Sequence, residues 1–422
     1  MFGLFLVLLT LAAIFGLWLL VCPRKSQDLI ILALAFEAFA FLATISPNPW
    51  VSRVRHFALP LLVIALLVRC FNGFRPRGWP CFLWLVLLLW VYCASFWALD
   101  PELYLALKLK PTVIAVVLLL AGATFRTSQD VRKLITCLLP TAIFICLTLV
   151  MGQADTMTSI EGRMSVNGAN QNGVSVIAGT ALIFLVAFAL HGTIIGWARY
   201  LVFVVVPIPM YYMLASGSRS GMLAAGACVG AIVYPYVMSK RRFLKVGLPV
   251  SVSGMIAVYF VLRRTLSDVI GRMFDFSHYT GREAHWEELR YAAVGDRFWY
   301  GAGGQSIWTE YQPIWVGMLN IYYDIFYDTG MLGVIWLVIC LWVTARKGWK
   351  VWFATMDDPM RFIMCGFVFY GLLHGIGESS ALRGGSYSSF FLMVGLGMLS
   401  AYNPKDQIHS GGRALGHAYW HL

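Results

Sequence analysis

Residues 200–238 read YLVFVVVPIPMYYMLASGSRSGMLAAGACVGAIVYPYVM. Two apolar runs, 200–215 and 221–238, flank the turn Ser216-Gly217-Ser218-Arg219-Ser220-Gly221 with almost no loop to spare. Each run approaches the roughly 20 apolar residues that cross a hydrocarbon core. The stretch reads as a pair of bilayer-spanning helices with an arginine at the tip of the connection.

The rest of the chain repeats that pattern. Further apolar runs lie near 2–22, 28–46, 57–72, 80–98, 110–125, 134–151, 173–190, 246–262, 320–344, 361–377 and 388–402. Of the 422 residues, 59% are hydrophobic and only 12% charged. The mean hydropathy is +0.73. Soluble domains carry about twice that charge fraction. The expected fold is all-α: one integral membrane domain over 1–422, a polytopic helix bundle of about 12–13 spans. The segment 263–319 is the one long loop, and Arg282 to Arg297 within it reads as a short amphipathic helix that Gly301-Ala302-Gly303-Gly304 breaks.

A net charge of +12 suggests nucleic acid in a soluble protein. Here most basic residues sit in short loops, where they set topology against membrane lipids. Alternating the spans places Arg24, Lys25, Arg69, Arg75, Arg77, Arg126, Arg132, Lys133, Arg199, Lys240 to Lys245, Arg346, Lys347, Lys350, Arg361, Lys405 and Arg413 on one side, the cytoplasm. The first charges, Arg24 and Lys25, follow the first apolar run, whereas a cleavable signal carries its charge before it. A retained first helix with its N-terminus outside is expected. The nine cysteines fall in or beside apolar runs without metal-ligand spacing, so neither a disulfide framework nor a metal site is expected.

The unusual polar residues gather on the other, extracytoplasmic side. In the turn at 216–221, backbone N–H groups at a helix start beside the Arg219 guanidinium and the Ser218 hydroxyl make a phosphate cradle. The bland alternative is an interfacial arginine snorkelling to headgroups. Arg163 opens a stretch holding Asn167, Asn170, Gln171 and Asn172, suited to a tight turn or to sugar hydroxyls. Arg282 and Arg290 flank Trp286 at spacings of four, which puts them on one helical face. With Glu283 nearby they also read as ordinary surface pairs. Acid–base candidates are His278, His285, Glu283, Asp324, Asp328, His374 and Glu378. His374 and Glu378 share a face near a span's outer end, where an ionisable residue is a functional candidate, or forms an interhelical hydrogen bond. Gly301 to Gly304 lack a following Lys-Ser/Thr, so no P-loop is present and no cofactor is expected.

Taken in order, Arg163 with Asn172, Ser218-Arg219, Gly281-Arg282 with Trp286, Gly301 to Gly304, and Asn320 with Asp328-Thr329-Gly330-Met331-Leu332-Gly333 resemble the O-antigen ligase and Wzy-type polysaccharide polymerase family. The resemblance covers roughly residues 150–345. It implies a metal-independent glycosyltransferase of C-type architecture in the bacterial inner membrane, with its active face periplasmic. Such enzymes take glycan from undecaprenyl diphosphate and pass it to a lipid-linked glycan (polymerase) or to lipid A–core (ligase). A chain-length regulator is a further partner of the polymerases. The diphosphate role falls on Arg219 with Arg282 or Arg290, and Arg163 faces diphosphate or glycan. Asn172, Ser218, Trp286 and Asn320 join them as substrate-binding positions. The family's histidine before Asn320 is replaced here by Leu319, which cannot accept a proton. The base is therefore sought among Glu283, Asp324 and His374, or the chain does different work from the ligases. A transporter of lipid-linked oligosaccharide is the more distant reading. Transporters show internal repeats and polar residues near the midplane, and neither is apparent here.

Overall fold

The computed structural model describes residues 26–45, 49–76, 78–98, 101–152, 154–155, 165–166, 171–191, 198–239, 295–303, 320–354, 358–377 and 386–403. Among these the chain is helical, apart from one short antiparallel ladder pairing β1 (Ala154–Asp155) with β2 (Ser165–Val166). The helices are α1 (Ser26–Phe39, continued by a 3-10 turn to Thr44), α2 (Pro49–Phe71), α3 (Trp79–Cys93, with a 3-10 turn Ala94–Phe96), α4 (Pro101–Gly122) and α5 (Ser128–Met151). After the ladder come α6 (Gln171–His191), α7 (Ala198–Val205), α8 (Pro207–Ala215) and α9 (Arg219–Ser239). The one-turn α10 (Arg297–Tyr300), then α11 (Ile321–Trp352), α12 (Met360–Gly377) and α13 (Tyr387–Ala401) complete the bundle.

Five stretches among the described residues are long and apolar enough to cross a membrane: Ser26–Ala43, Trp79–Phe96, Ser128–Met151, Asn172–His191 and Ile321–Trp352. The Asn172–His191 stretch is 94% buried against 44% for Trp79–Phe96, Ser128–Met151 and Ile321–Trp352, so α6 is a central pillar and the other three turn one side outward. α13 is buried along its whole length.

The helix starts follow from local chemistry. Thr127 caps α5 by accepting from the Asp130 N–H at 3.2 Å, and Ser386 caps α13 by accepting from the Ser389 N–H at 3.1 Å. Each satisfies an N–H that the helix itself leaves unpaired. With apolar side chains on both sides of each contact, close approach of backbones is what brings the helices together. Gly122 and Gly397 provide this where α4 meets α13, and Gly366 where α12 meets Cys228 and Ala231 of α9.

Helices alternate between two ends of the bundle. At one end Lys133 pairs with Asp28 at 2.9 Å, Arg126 donates to the Arg75 carbonyl at 3.2 Å, and Lys347 donates to the Tyr402 carbonyl at 2.8 Å. Asp358 gathers three segments there, accepting from Ser128, from the Tyr402 hydroxyl at 2.9 Å and from the Met360 N–H at 3.0 Å. This end also holds Arg69, Arg132, Arg346, Lys350 and Arg361. The opposite end collects the starts of α4, α6, α9, α11 and α13 and the finish of α12.

Several boundaries differ from the sequence expectation. α2 starts at Pro49 and α5 at Ser128, ahead of the runs 57–72 and 134–151, α11 continues to Trp352 beyond the run 320–344, and the run 200–215 is divided between α7 and α8. The apolar run at 110–125 predicts a span beginning after Lys108, whereas α4 begins at Pro101 and carries Lys108 inside it. Lys108 is tolerated there because its ammonium pairs with the Asp328 carboxylate of α11, with both side chains buried.

Candidate site at the Arg219 end of the bundle

The turn between α8 and α9 is built from short polar residues. The Ser216 hydroxyl donates to the Met213 carbonyl at 2.7 Å, closing α8, and Gly217 takes a left-handed φ of 68°. The Ser218 carbonyl then accepts the first bond of α9, from the Met222 N–H at 3.1 Å. Ser218 is buried, and Arg219 is the first, half-buried residue of α9. Among the described residues Arg219 has no ion pair and no hydrogen bond. That placement is unfavourable for the helix on its own, because a helix N-terminus carries partial positive charge and prefers an anion.

A second helix doubles this effect. α6 and α9 run parallel, both starting at this end. A Cβ at Gly221 would meet the Ser175 hydroxyl at 2.5 Å, and one at Gly179 would meet the Ala225 Cβ at 3.0 Å. The small-residue seam therefore holds the first turns of both helices side by side. The Ser175 hydroxyl is fully buried in that seam and has no hydrogen-bond partner among the described residues. Asn172 lies in the first turn of α6.

α12 reaches the same level from the opposite direction. The Tyr370 hydroxyl donates to the Val176 carbonyl at 3.5 Å, and Gly366 packs on Cys228 and Ala231 of α9. One turn beyond Tyr370, His374 is thereby level with the first turns of α6 and α9. Its ring lies parallel to the Tyr370 ring, at 2° and 5.8 Å between centroids. His374 is 3% exposed, and among the described residues neither ring nitrogen has a partner.

α11 joins through Asn320. Its side-chain oxygen caps α11, accepting from Tyr322 N–H at 2.9 Å and Tyr323 N–H at 3.4 Å. Its amide nitrogen donates to the Ile376 carbonyl at 2.9 Å, two residues from His374. The Tyr322 hydroxyl adds a bond to the Leu372 carbonyl at 3.3 Å. Asn320 thus acts as a cap and as a tie between helices, and Asp324 sits one turn inside α11, half-buried.

Of the residues singled out from sequence, Asn172, Ser218, Arg219, Asn320, Asp324 and His374 share this end of the bundle. Arg163, Arg282, Glu283, Trp286 and Arg290 lie outside the described residues, as do His278, His285 and Glu378. Asp328 is engaged by Lys108 and is not a free base. Sequence reasoning missed Ser175 and Lys108. The signal for Lys108 was Pro101-Glu102, a proline and an acid that open a helix. Among the described residues no cluster of three or more His, Cys, Asp or Glu side chains is placed to hold a metal ion. The arrangement can receive an anion on two helix starts and a guanidinium, at the level of a buried imidazole.

No protein-family model matches the chain, and no curated protein matches it.

Proposed function

We propose that the chain is a multi-pass glycosyltransferase of the bacterial inner membrane, with C-type architecture, that transfers glycan from undecaprenyl diphosphate to a growing lipid-linked chain, as Wzy-type polymerases do. The observation that carries this reading is Arg219, unpaired among the described residues, at the start of α9 beside the parallel start of α6. Each helix start contributes about half a positive charge. A diphosphate offsets both and accepts from the guanidinium fork. The end of the bundle holding Arg69, Arg75, Arg126, Arg132, Lys133, Arg346, Lys347, Lys350 and Arg361 is then cytoplasmic, and the Arg219 end periplasmic.

In the transfer, an acceptor hydroxyl oxygen bonds to the anomeric carbon as the bond from that carbon to the diphosphate oxygen breaks. Negative charge grows on the leaving diphosphate, and Arg219 with the two helix starts stabilises it most strongly where water is scarce. The acceptor proton goes to an imidazole nitrogen of His374, favoured over Asp324 because neither of its nitrogens is engaged by a described residue, whereas Asp324 already has a partner. Arg163, Arg282 and Arg290 are the further cations proposed for diphosphate or glycan.

The test is purified protein in liposomes, with undecaprenyl-diphosphate-linked repeat supplied only to the leaflet at the Arg219 face. Extension of the lipid-linked repeat is the expected result. Transfer only to added lipid A–core makes the protein a ligase. Movement of intact donor across the bilayer without consumption refutes transferase activity and leaves a transporter.

A further inference from the structure

We infer that the buried Lys108–Asp328 ion pair locks a break in α11, making these two residues positioning residues for the Arg219 end of the bundle. Lys108 is 8% exposed and Asp328 4%. Replacing such a pair with apolar residues of similar size is often neutral or stabilising, so stability alone does not explain it. Its position does. Two residues after Asp328, Gly330 takes φ 65° and ψ −162°, a left-handed conformation inside what is otherwise continuous helix. The break divides α11 into a short half-helix, Ile321–Thr329, and a long one after it.

The short half-helix is held at both ends. At its start, Asn320 and Tyr322 bond to the Ile376 and Leu372 carbonyls of α12, the helix that carries His374. At its finish, Asp328 pairs with Lys108 of α4, and α4 packs along the fully buried α13. The turn 297–303 closes over the same point. Ala302 N–H donates to the Tyr327 carbonyl at 2.7 Å, and Trp97 Nε1–H donates to the Tyr300 carbonyl at 2.7 Å. A Cβ at Gly301 would meet the Asp328 carbonyl carbon and the Thr329 nitrogen at 2.5 Å. Gly330 and Gly303 leave as little room against Trp299 and Ala98. A backbone break frees one half of a helix to pivot on the other. Here the one charge on the half-helix that is buried beside the break is tied to a different helix.

The catalytic consequence rests on the proposed transfer reaction; the lock itself does not. The experiment compares the full-length protein in lipid nanodiscs with a Lys108→Met/Asp328→Met double variant, which leaves no unpaired charge to prevent folding. Hydrogen–deuterium exchange is expected to accelerate at least about tenfold in 321–329 and 297–303 in the double variant, while residues 331–352 keep wild-type rates. Lys108→Arg, which keeps the charge, is expected to exchange like wild type. Wild-type exchange at 321–329 in the double variant overturns the lock. With donor supplied, the double variant should lose at least about tenfold in kcat while its donor KM stays within about twofold, because displaced groups slow chemistry more than binding. An unchanged kcat overturns the positioning role. A wild-type protein that consumes no donor refutes the transfer reaction, and exchange still decides the lock.

Discussion

Replacing Arg219 with alanine should remove activity while leaving the empty protein as stable as before, or more so. Arg219 makes no ion pair or hydrogen bond with a described residue, so its truncation breaks no intramolecular contact there. It also sits at the positive end of α9, where a cation is unfavourable by about 0.3–1 kcal/mol. The unfolding midpoint of Arg219→Ala in detergent should therefore be unchanged or slightly raised. The loss appears with ligand. Removing one donor to charge developing in a transition state costs about 2.7–4 kcal/mol, or about 10²–10³ in kcat. Inorganic pyrophosphate provides a second readout. At about 100 times its Kd it should stabilise wild type by about 2.7 kcal/mol. A variant binding about a hundredfold more weakly gains only about 0.4 kcal/mol at the same concentration. Thermal unfolding with and without pyrophosphate, beside donor turnover in liposomes, measures both. A clear fall in the midpoint of the empty protein would make Arg219 a structural residue. Undiminished turnover, or equal stabilisation of both proteins by pyrophosphate, would refute the anion site.

His374→Asn should lower kcat by about 10²–10⁴ while donor KM stays close to wild type, as expected for loss of a proton acceptor; steady-state turnover in liposomes tests this, and wild-type kcat removes His374 from the mechanism. Asn320→Ala should destabilise the protein by about 1–2 kcal/mol through the lost cap on α11. Asn320→Asp, which keeps the cap and loses the donation to the Ile376 carbonyl, should fall between; chemical denaturation ranks the three. Gly221→Ala places a methyl group against Ser175 and should cost about 1–3 kcal/mol by overpacking the seam between α6 and α9. Adding Ser175→Gly should restore most of that loss in thermal unfolding, and no recovery would show that the seam is not the point of contact.

Among the described residues, helices were legible in the sequence where an apolar run was uninterrupted; the runs 2–22 and 246–262 lie outside them. The runs 173–190, 361–377 and 388–402 lie within one or two residues of α6, α12 and α13, because uninterrupted apolar sequence has no alternative but to pack or face lipid. The run 110–125 misplaced the start of α4 for a definite reason. A lysine inside a helix reads as a loop residue unless its partner is known, and Asp328 is 220 positions away. Arg219 was legible as an oddity, a cation on the side poor in cations. The level it shares with Ser175 and His374 was not, because that depends on the register of α6, α9 and α12, which small residues such as Gly179, Gly221 and Gly366 set across the chain. Asn320 shows the other kind of gap. An asparagine before an apolar run suits a helix cap as well as a sugar, and only the Ile376 carbonyl beside it reveals the tie to α12.

An arginine snorkelling to lipid headgroups accounts for Arg219 taken alone. It does not account for what lies at the same level. Among the described residues the Ser175 hydroxyl and both nitrogens of His374 are buried without partners; Trp90 Nε1 and Ser389 Oγ are too, so it is the shared level with Arg219 that sets the first two apart. Headgroup binding at the rim of the bundle satisfies none of them. Two parallel helix starts packed side by side also place like partial charges together, an arrangement that water screens poorly inside an apolar bundle. An anion lying on the starts of α6 and α9, with a hydroxylic group attached that reaches the imidazole, would meet the guanidinium, the paired dipoles and a ring nitrogen together. A diphosphate bearing a sugar has that combination of groups; a simple headgroup phosphate supplies only the first.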